Sequence, residues 1–372
     1  MTPRERLLTA MRGGTPDRVP LVLPGFDFAT RSAIDAHPDP HRRRIAHRAF
    51  EHVTHEVRIP NPINRYLVTP PQNIHTTVTP LGNGFEQTDG FIHSPQGPLT
   101  FVTQRDPISD TTWTLEYPVK TLDDLHKVAA IPWETPEGLS PPAVSLPADL
   151  ATRGILETGI SSPFVCVAGL MKFEHFLELT ATEPDLVDEL TEICRQRVEA
   201  ILDVLFSKPG IEYLWIGGSE WVTPPMASPR TYDRLVQPYE ASVIRHARDL
   251  AAGVGQDLVV HVHCHGHVRH ALPRTIDRGA DFTEPVEPPP DGDITMAEAK
   301  ALSAGRITLG GNVESRILCN GTPDEVESAV DAAYEGGPRR FVLRPTEGPP
   351  PIMSDREAAN WERMVDCWEA KA

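Results

Sequence analysis

From about residue 155 onward the chain alternates between short apolar runs rich in β-branched residues and longer segments with helical spacing. The runs are FVCVAGL (164–170), IEYLWIGG (211–218), DLVVHVH (257–263), ADFTEP (280–285), RITLGGN (306–312) and RFVLRP (340–345). Between them, FEHFLELTATEPDLVDELTEICRQRVEAILDVLF is apolar at steps of three and four. Ser228–Pro229 offers an N-cap followed by proline at the first helical position, and Thr322–Pro323 precedes the acidic pair Asp324 and Glu325, which suit a helix N-terminus. Strands linked by helical crossovers must run parallel, with helices covering the sheet. Residues 18–26, RVPLVLPGF, supply a first strand after the helix TPRERLLTAMRG. The section 51–150 differs: GPLTFVTQRD and TTWTLEYPV read as antiparallel hairpin strands, before TLDDLHKVAAI restarts helix. The expectation is a (β/α)8 TIM-type barrel, a single domain over 1–372, with an N-terminal helical and β-hairpin elaboration at 51–150. A doubly wound open sheet is the alternative, but no GxGxxG follows a first strand.

Composition narrows the partners. A net charge of −17 argues against nucleic acid and anionic membranes. The five cysteines, Cys166, Cys194, Cys264, Cys319 and Cys367, are scattered and form no CxxC, a pattern that fits a reducing, cytoplasmic setting. MTPRERLLTAMRGG has no long apolar run, so no secretory signal is expected, and no stretch is apolar enough to span a membrane. Oligomeric state is not legible.

In a barrel the chemistry lies where strands end and βα loops begin. Those positions hold Glu220 and Trp221, then His263 and His265, Glu284 with Glu287 beyond it, Asn312 and Glu314, and finally Glu347. A ring of imidazoles and carboxylates suits a zinc-type Lewis acid. His263 and His265 share a strand face, being two residues apart; His261 has the same parity and lies one layer deeper, while Cys264 points away. The plainer alternative is that these histidines only hydrogen-bond in a polar mouth. Glu220 is the candidate catalytic or substrate-contacting carboxylate, with Trp221 beside it, and Asp27 and Arg344 are candidate substrate contacts. Neither a GxSxG elbow nor a GxxxxGK[ST] loop is present.

The opening MTPRERLLTAMRGGTPDRVPLVL resembles the start of the uroporphyrinogen decarboxylase superfamily. The likeness runs on through GPLT (97–100), EYPVKTLDDL (116–125), SPRTYDRLVQPYE (228–240), HCHG (263–266), GDITMAEAKALSAGRITLGGNVE (292–314) and GTPDEV (321–326). It implies a barrel with its active site in the C-terminal mouth. Where the decarboxylases carry an MRQAGR phrase this chain has LPGFDFATR, so the resemblance favours the cobalamin-linked (methylcobamide:coenzyme M type) methyltransferase-like branch. That branch holds zinc through an H-x-C-G motif and a cysteine after the last strand. Here His263 matches the motif histidine, His265 stands at the cysteine, and RPTE puts Glu347 at the final cysteine. Glu284 or Glu287 falls at an intermediate glutamate. The resemblance thus implies Zn²⁺ on His263, His265, Glu284 and Glu347, with nitrogen and oxygen replacing sulfur. It also implies methyl or one-carbon transfer on a small-molecule substrate. Without a D-x-H-x-x-G motif, any corrinoid would come on a separate protein. A metal-assisted lyase, hydrolase or decarboxylase acting on a small polar substrate, and a metal-free non-catalytic member, are the competing readings.

Overall fold

A computed structural model describes residues 1–107, 111–142 and 145–371. Its strands are β1 (His55–Arg58), β2 (Ile74–Gly82), β3 (Phe85–Ile92), β4 (Leu99–Asp106), β5 (Thr111–Glu116), β6 (Gly154–Ser161), β7 (Tyr213–Gly217), β8 (Val259–His263), β9 (Phe282–Glu284), β10 (Thr308–Gly310) and β11 (Phe341–Val342). Seven of them form one parallel sheet in the order β1-β6-β7-β8-β9-β10-β11. The strand-and-crossover rhythm of the sequence accounts for this order, since each helix returns the chain to lay the next strand beside the last.

The first expected strand is reduced to a single parallel bridge, Leu21 with Leu343. Val22 N–H donates to the Leu343 carbonyl at 3.0 Å, and Leu343 N–H donates to the Pro20 carbonyl at 3.0 Å. Pro20 and Pro24 remove the donors that a longer ladder would need. The sheet is curled. Leu23 and Asp27 from this segment, Glu56 and Arg58 from β1, and Arg344 from beyond β11 line the same cavity. Among the described residues no ladder joins the 20–22 segment to β1, so a curled seven-stranded half-barrel is what the hydrogen bonds define.

Two expected elements change identity. FVCVAGL (164–170) is not a strand: Pro163–Ala168 is a short helix with every residue buried, and the strand before it is Gly154–Ser161. An apolar run buried on all sides carries no period, and Pro163 at the first helical position settles the matter locally. The long segment after it breaks at Glu183 into helices Phe173–Thr182 and Pro184–Leu205, the second opening on its proline. The Thr322 start is a full capping box with Glu325, and Ser228 Oγ accepts from Thr231 N–H at 3.1 Å.

Within 51–150, β2 to β5 form a four-stranded antiparallel sheet, whereas β1 belongs to the parallel sheet. Leu7, Leu8 and Met11 of the helix Pro3–Met11 pack against Ile155, Tyr213, Val259, Phe282 and Val342. These are inward-facing residues near the strand starts. One end of the concave face is thereby sealed with apolar side chains, each contributing roughly 1.5–3 kcal/mol when fully buried. Advancing two residues along β7, β8 and β9 reaches Trp215, His261 and Glu284, the next inward layer. That layer is polar, and it is where the site begins.

Candidate functional site

β8 places His261 and His263 on the same face, and β9 pairs His261 with Phe282 and His263 with Glu284. Glu284 is 1% exposed, and its Oε1 collects three nitrogens at 2.8 Å: His261 Nε2, His263 Nδ1 and Arg344 Nη1. Its Oε2 has no hydrogen-bond partner, and His261 Nε2 is buried without an aligned one. The other ring nitrogen, His261 Nδ1, lies 2.6 Å from Tyr213 Oη. With Tyr213 donating to Nδ1, Nε2–H faces Glu284; with Nδ1–H donating to the tyrosine oxygen, the Nε2 lone pair is free, the tautomer a metal ligand requires. One ligand atom each from His261, His263 and Glu284 lies within 4.8 Å of the others.

Burial and charge set the protonation of this group. Burial drives His261 down to about 4, so it is neutral near pH 7. Burial alone would raise Glu284, but Arg344 and then His263 hold it well below the usual carboxylate range. Glu56, half-buried in the wall of the same cavity, goes the other way. Burial first, then the neighbouring Glu157 and Asp27 carboxylates, push it up to about 8. Glu157 is buried and pairs with Arg58 Nε at 2.6 Å. His55 Nδ1 lies 3.4 Å from Asp27 Oδ2, and that contact raises the histidine. The cavity holds about 320 Å³ and is lined by Asp27, Glu56, Arg58, His263, Glu284 and Arg344 among others.

A second cavity of about 520 Å³ adjoins it, lined by Tyr117, Phe173, Trp221 and Met226 with Glu220 and His265. The link is the ring contact between His263 and His265, centroids 4.5 Å apart and nearly perpendicular. His265 Nδ1 meets Glu287 Oε1 at 3.2 Å, and Glu287 Oε2 accepts from Gly266 N–H. Burial would lower His265, but the Glu287 bond and nearby carboxylates leave it raised. Glu220 Oε2 accepts from Gly218 N–H at 3.1 Å.

The residues singled out in sequence therefore fall into separate groups. Asp27, His263, Glu284 and Arg344 come together in the charged cavity. Glu220, Trp221 and His265 line its apolar neighbour. Glu347 is exposed and lines neither: after Arg344 turns inward, a bridge between Pro345 and Val313 leads the chain back to the surface. The third member of the cluster is instead His261, whose shared parity with His263 was visible in the sequence. Glu56 and Arg58 were not singled out, because HEVR (55–58) is too short to stand out as a strand, and Tyr213 was passed over because it starts its strand, away from the strand end where site residues were sought.

The uroporphyrinogen decarboxylase (URO-D) family model matches residues 109–370. Among solved structures, a methyltransferase from Methanosarcina mazei is similar over 100% of this chain and 99% of its own, at 16% identity and TM-score 0.59. Another, described as a vitamin-B12-independent methionine synthase from Listeria monocytogenes, aligns over 60% of this chain and 65% of its own, at 11% identity and TM-score 0.34. No curated protein sequence matches.

Proposed function

This chain belongs to the uroporphyrinogen decarboxylase family, and from that premise we propose that it is an enzyme of the methyltransferase-like branch. It transfers a methyl or other one-carbon group in the mouth of a (β/α)8 barrel that spans 1–372 as one domain. The observation that carries this reading is the buried cluster of His261, His263 and Glu284. Two imidazoles and a carboxylate, with His261 Nε2 and Glu284 Oε2 lacking hydrogen-bond partners, fit a zinc-type divalent ion. When bound, such an ion supplies Lewis acidity toward a nucleophile or a polarised substrate atom.

The remaining roles fall to the chain's own side chains. Tyr213 holds the His261 ring through Nδ1, which keeps Nε2 turned toward Glu284. Arg344 and Arg58 set positive charge against Glu284 and Glu157 and, with Asp27, orient a polar substrate group. Glu220 and Trp221 contact the substrate from the adjoining cavity. His261 replaces His265 in the ligand set, and Glu347 takes no part. A separate corrinoid protein is the proposed methyl carrier.

Methylcobalamin is the probe. Tag-free, zinc-loaded protein with a small thiol acceptor should consume the methylcobalamin absorption faster than the thiol alone, and His263→Ala should abolish the excess. No excess over the protein-free rate would refute methyl transfer. One observation favours a second reading, a lyase or decarboxylase: Glu56, raised to about 8, is a protonated acid near neutral pH beside Arg58 and Arg344, which together suit a carboxylate substrate. Release of carbon dioxide from a small carboxylic acid, lost in Glu56→Gln, would support it over transfer.

A further inference from the structure

We propose that the apolar cavity beside the charged mouth receives a methylated onium group, a quaternary ammonium or sulfonium carried by the substrate. This deepens the methyl-transfer reading and, as a source of methyl groups, rests on it. Phe173 meets Trp221 edge-on at 5.7 Å and 85°, so two aromatic walls stand nearly perpendicular, and Tyr117 lines the same space. Aromatic faces attract cations through the ring quadrupole, most strongly for indole. Trp221 already shows this: the Arg65 guanidinium lies 5.2 Å from its ring centroid.

Charge selects among ligands. Asp291 at the cavity edge is matched by Arg316 at 2.7 Å, and His265 is matched by Glu287. Glu220 is different: it accepts one backbone N–H from Gly218, and no ion pair engages it among the described residues. Glu220 is therefore the lining carboxylate without an ion-pair partner among the described residues, set within aromatic and thioether walls. An anion would meet that charge unscreened. A primary ammonium would need its three N–H donors met by acceptors, whereas most of this lining is aromatic, thioether and proline surface from Tyr117, Met171, Phe173, Trp221, Pro224, Pro225 and Met226. An onium head needs none; its charge is spread over methyl groups that pack against rings.

The assignment also gives the transfer a direction. The bond from methyl carbon to nitrogen or sulfur breaks with its electron pair left on the heteroatom. The methyl joins the lone pair of the acceptor, a thiolate or a reduced corrinoid supplied from outside the chain. A thioether departs uncharged, without the cation that Glu220 and the rings hold; a tertiary amine departs with its new lone pair and then takes up a proton from water, exchanging a methyl for an N–H that the aromatic walls cannot satisfy.

The test compares choline with 3,3-dimethylbutan-1-ol, its uncharged isostere, by calorimetry and tryptophan fluorescence on the full chain. Choline should bind more tightly by roughly tenfold or more. Glu220→Gln should erase most of that preference, and Trp221→Leu should weaken choline while the circular dichroism stays unchanged. Equal affinities for the two compounds, or no choline binding in the millimolar range, would overturn the assignment, and this arm needs no variant to fold. Methyl transfer from methylcobalamin without any choline preference would sink the onium site and leave the proposed activity standing. Choline preference without transfer supports the site and removes the activity.

Discussion

His261→Asn is the perturbation that most directly separates the site built by the fold from the one legible in sequence. Four donors, His263, His265, Glu284 and Glu347, follow from motif positions, whereas the folded chain gathers His261, His263 and Glu284 within 4.8 Å. Structural zinc is bound in small peptides with about 10–16 kcal/mol shared over four ligands. Each protein ligand then carries about 3 kcal/mol, and its loss weakens binding by roughly 10²–10³-fold. Asparagine is chosen because His261 is buried against Tyr213 and Phe282. Alanine would open a cavity and confuse loss of a ligand with loss of packing.

The assay is zinc content of tag-free protein after dialysis against a weak chelator, with chelator competition for affinity. The parent should retain near one zinc per chain, and His261→Asn and His263→Ala should retain almost none. His265→Ala should weaken binding by no more than roughly 10–100-fold, the range for residues behind the ligands, and Glu347→Ala, exposed and away from the cluster, should leave it unchanged. Thermal melts check that each variant is folded. Full zinc retention in His261→Asn, or complete loss in Glu347→Ala, refutes the three-residue cluster.

Two further outcomes follow from buried charge. Arg278 and Glu240 are both wholly buried and pair at 3.0 Å, so Arg278→Met strands the carboxylate and should cost about 3–5 kcal/mol in urea unfolding; the double replacement with Glu240→Met should recover much of it, and no recovery would mean the loss is packing. Glu56 holds its proton more tightly folded than unfolded, so from its ordinary 4.5 up to about 8 the folded state loses stability as pH rises. Glu56→Gln, fixed neutral, should gain on the parent in melting temperature across that window, and a constant gap would show that Glu56 does not titrate there.

The sequence carried the fold further than the site. Alternation of apolar runs and helical spacing is a property of single strands and helices, so β7 to β11 were legible within a few residues. The failures have local causes. FVCVAGL is buried on every side and so carries no period. RVPLVLPGF has the composition of a strand, but its prolines leave it one bridge. At the site, parity along β8 was readable, yet depth was not. Whether His261 or His265 joins His263 depends on where β9 places Glu284 along the register, and the pairing of His263 with Glu284 sets it. Glu347 lies outside both cavities for a related reason: Pro345 bridges to Val313, and the chain beyond Arg344 returns to the surface. A motif position fixes a residue's place in the chain; the bridge decides which way it faces.

Arg344 is the residue on which the metal question turns. A buried carboxylate stripped of compensation costs several kcal/mol, and the group that does most to hold Glu284 ionised is Arg344, ahead of His263. The compensating charge in the metal-free protein is therefore Arg344, 2.8 Å from Glu284 Oε1. A divalent ion on the same cluster brings its own charge to that oxygen, leaving the guanidinium both redundant and repelled. Unit charges about 4 Å apart at an effective dielectric of ~20 interact by about 4 kcal/mol, enough to matter in either direction. Arg344→Met should then destabilise the metal-free protein more than the zinc-loaded one, and it should tighten zinc binding. The measurement is the melting temperature of parent and variant with and without zinc, and the zinc-induced rise should be larger in the variant. Equal rises would show that the ion does not share Glu284 with Arg344, and the cluster would lose its claim to the metal.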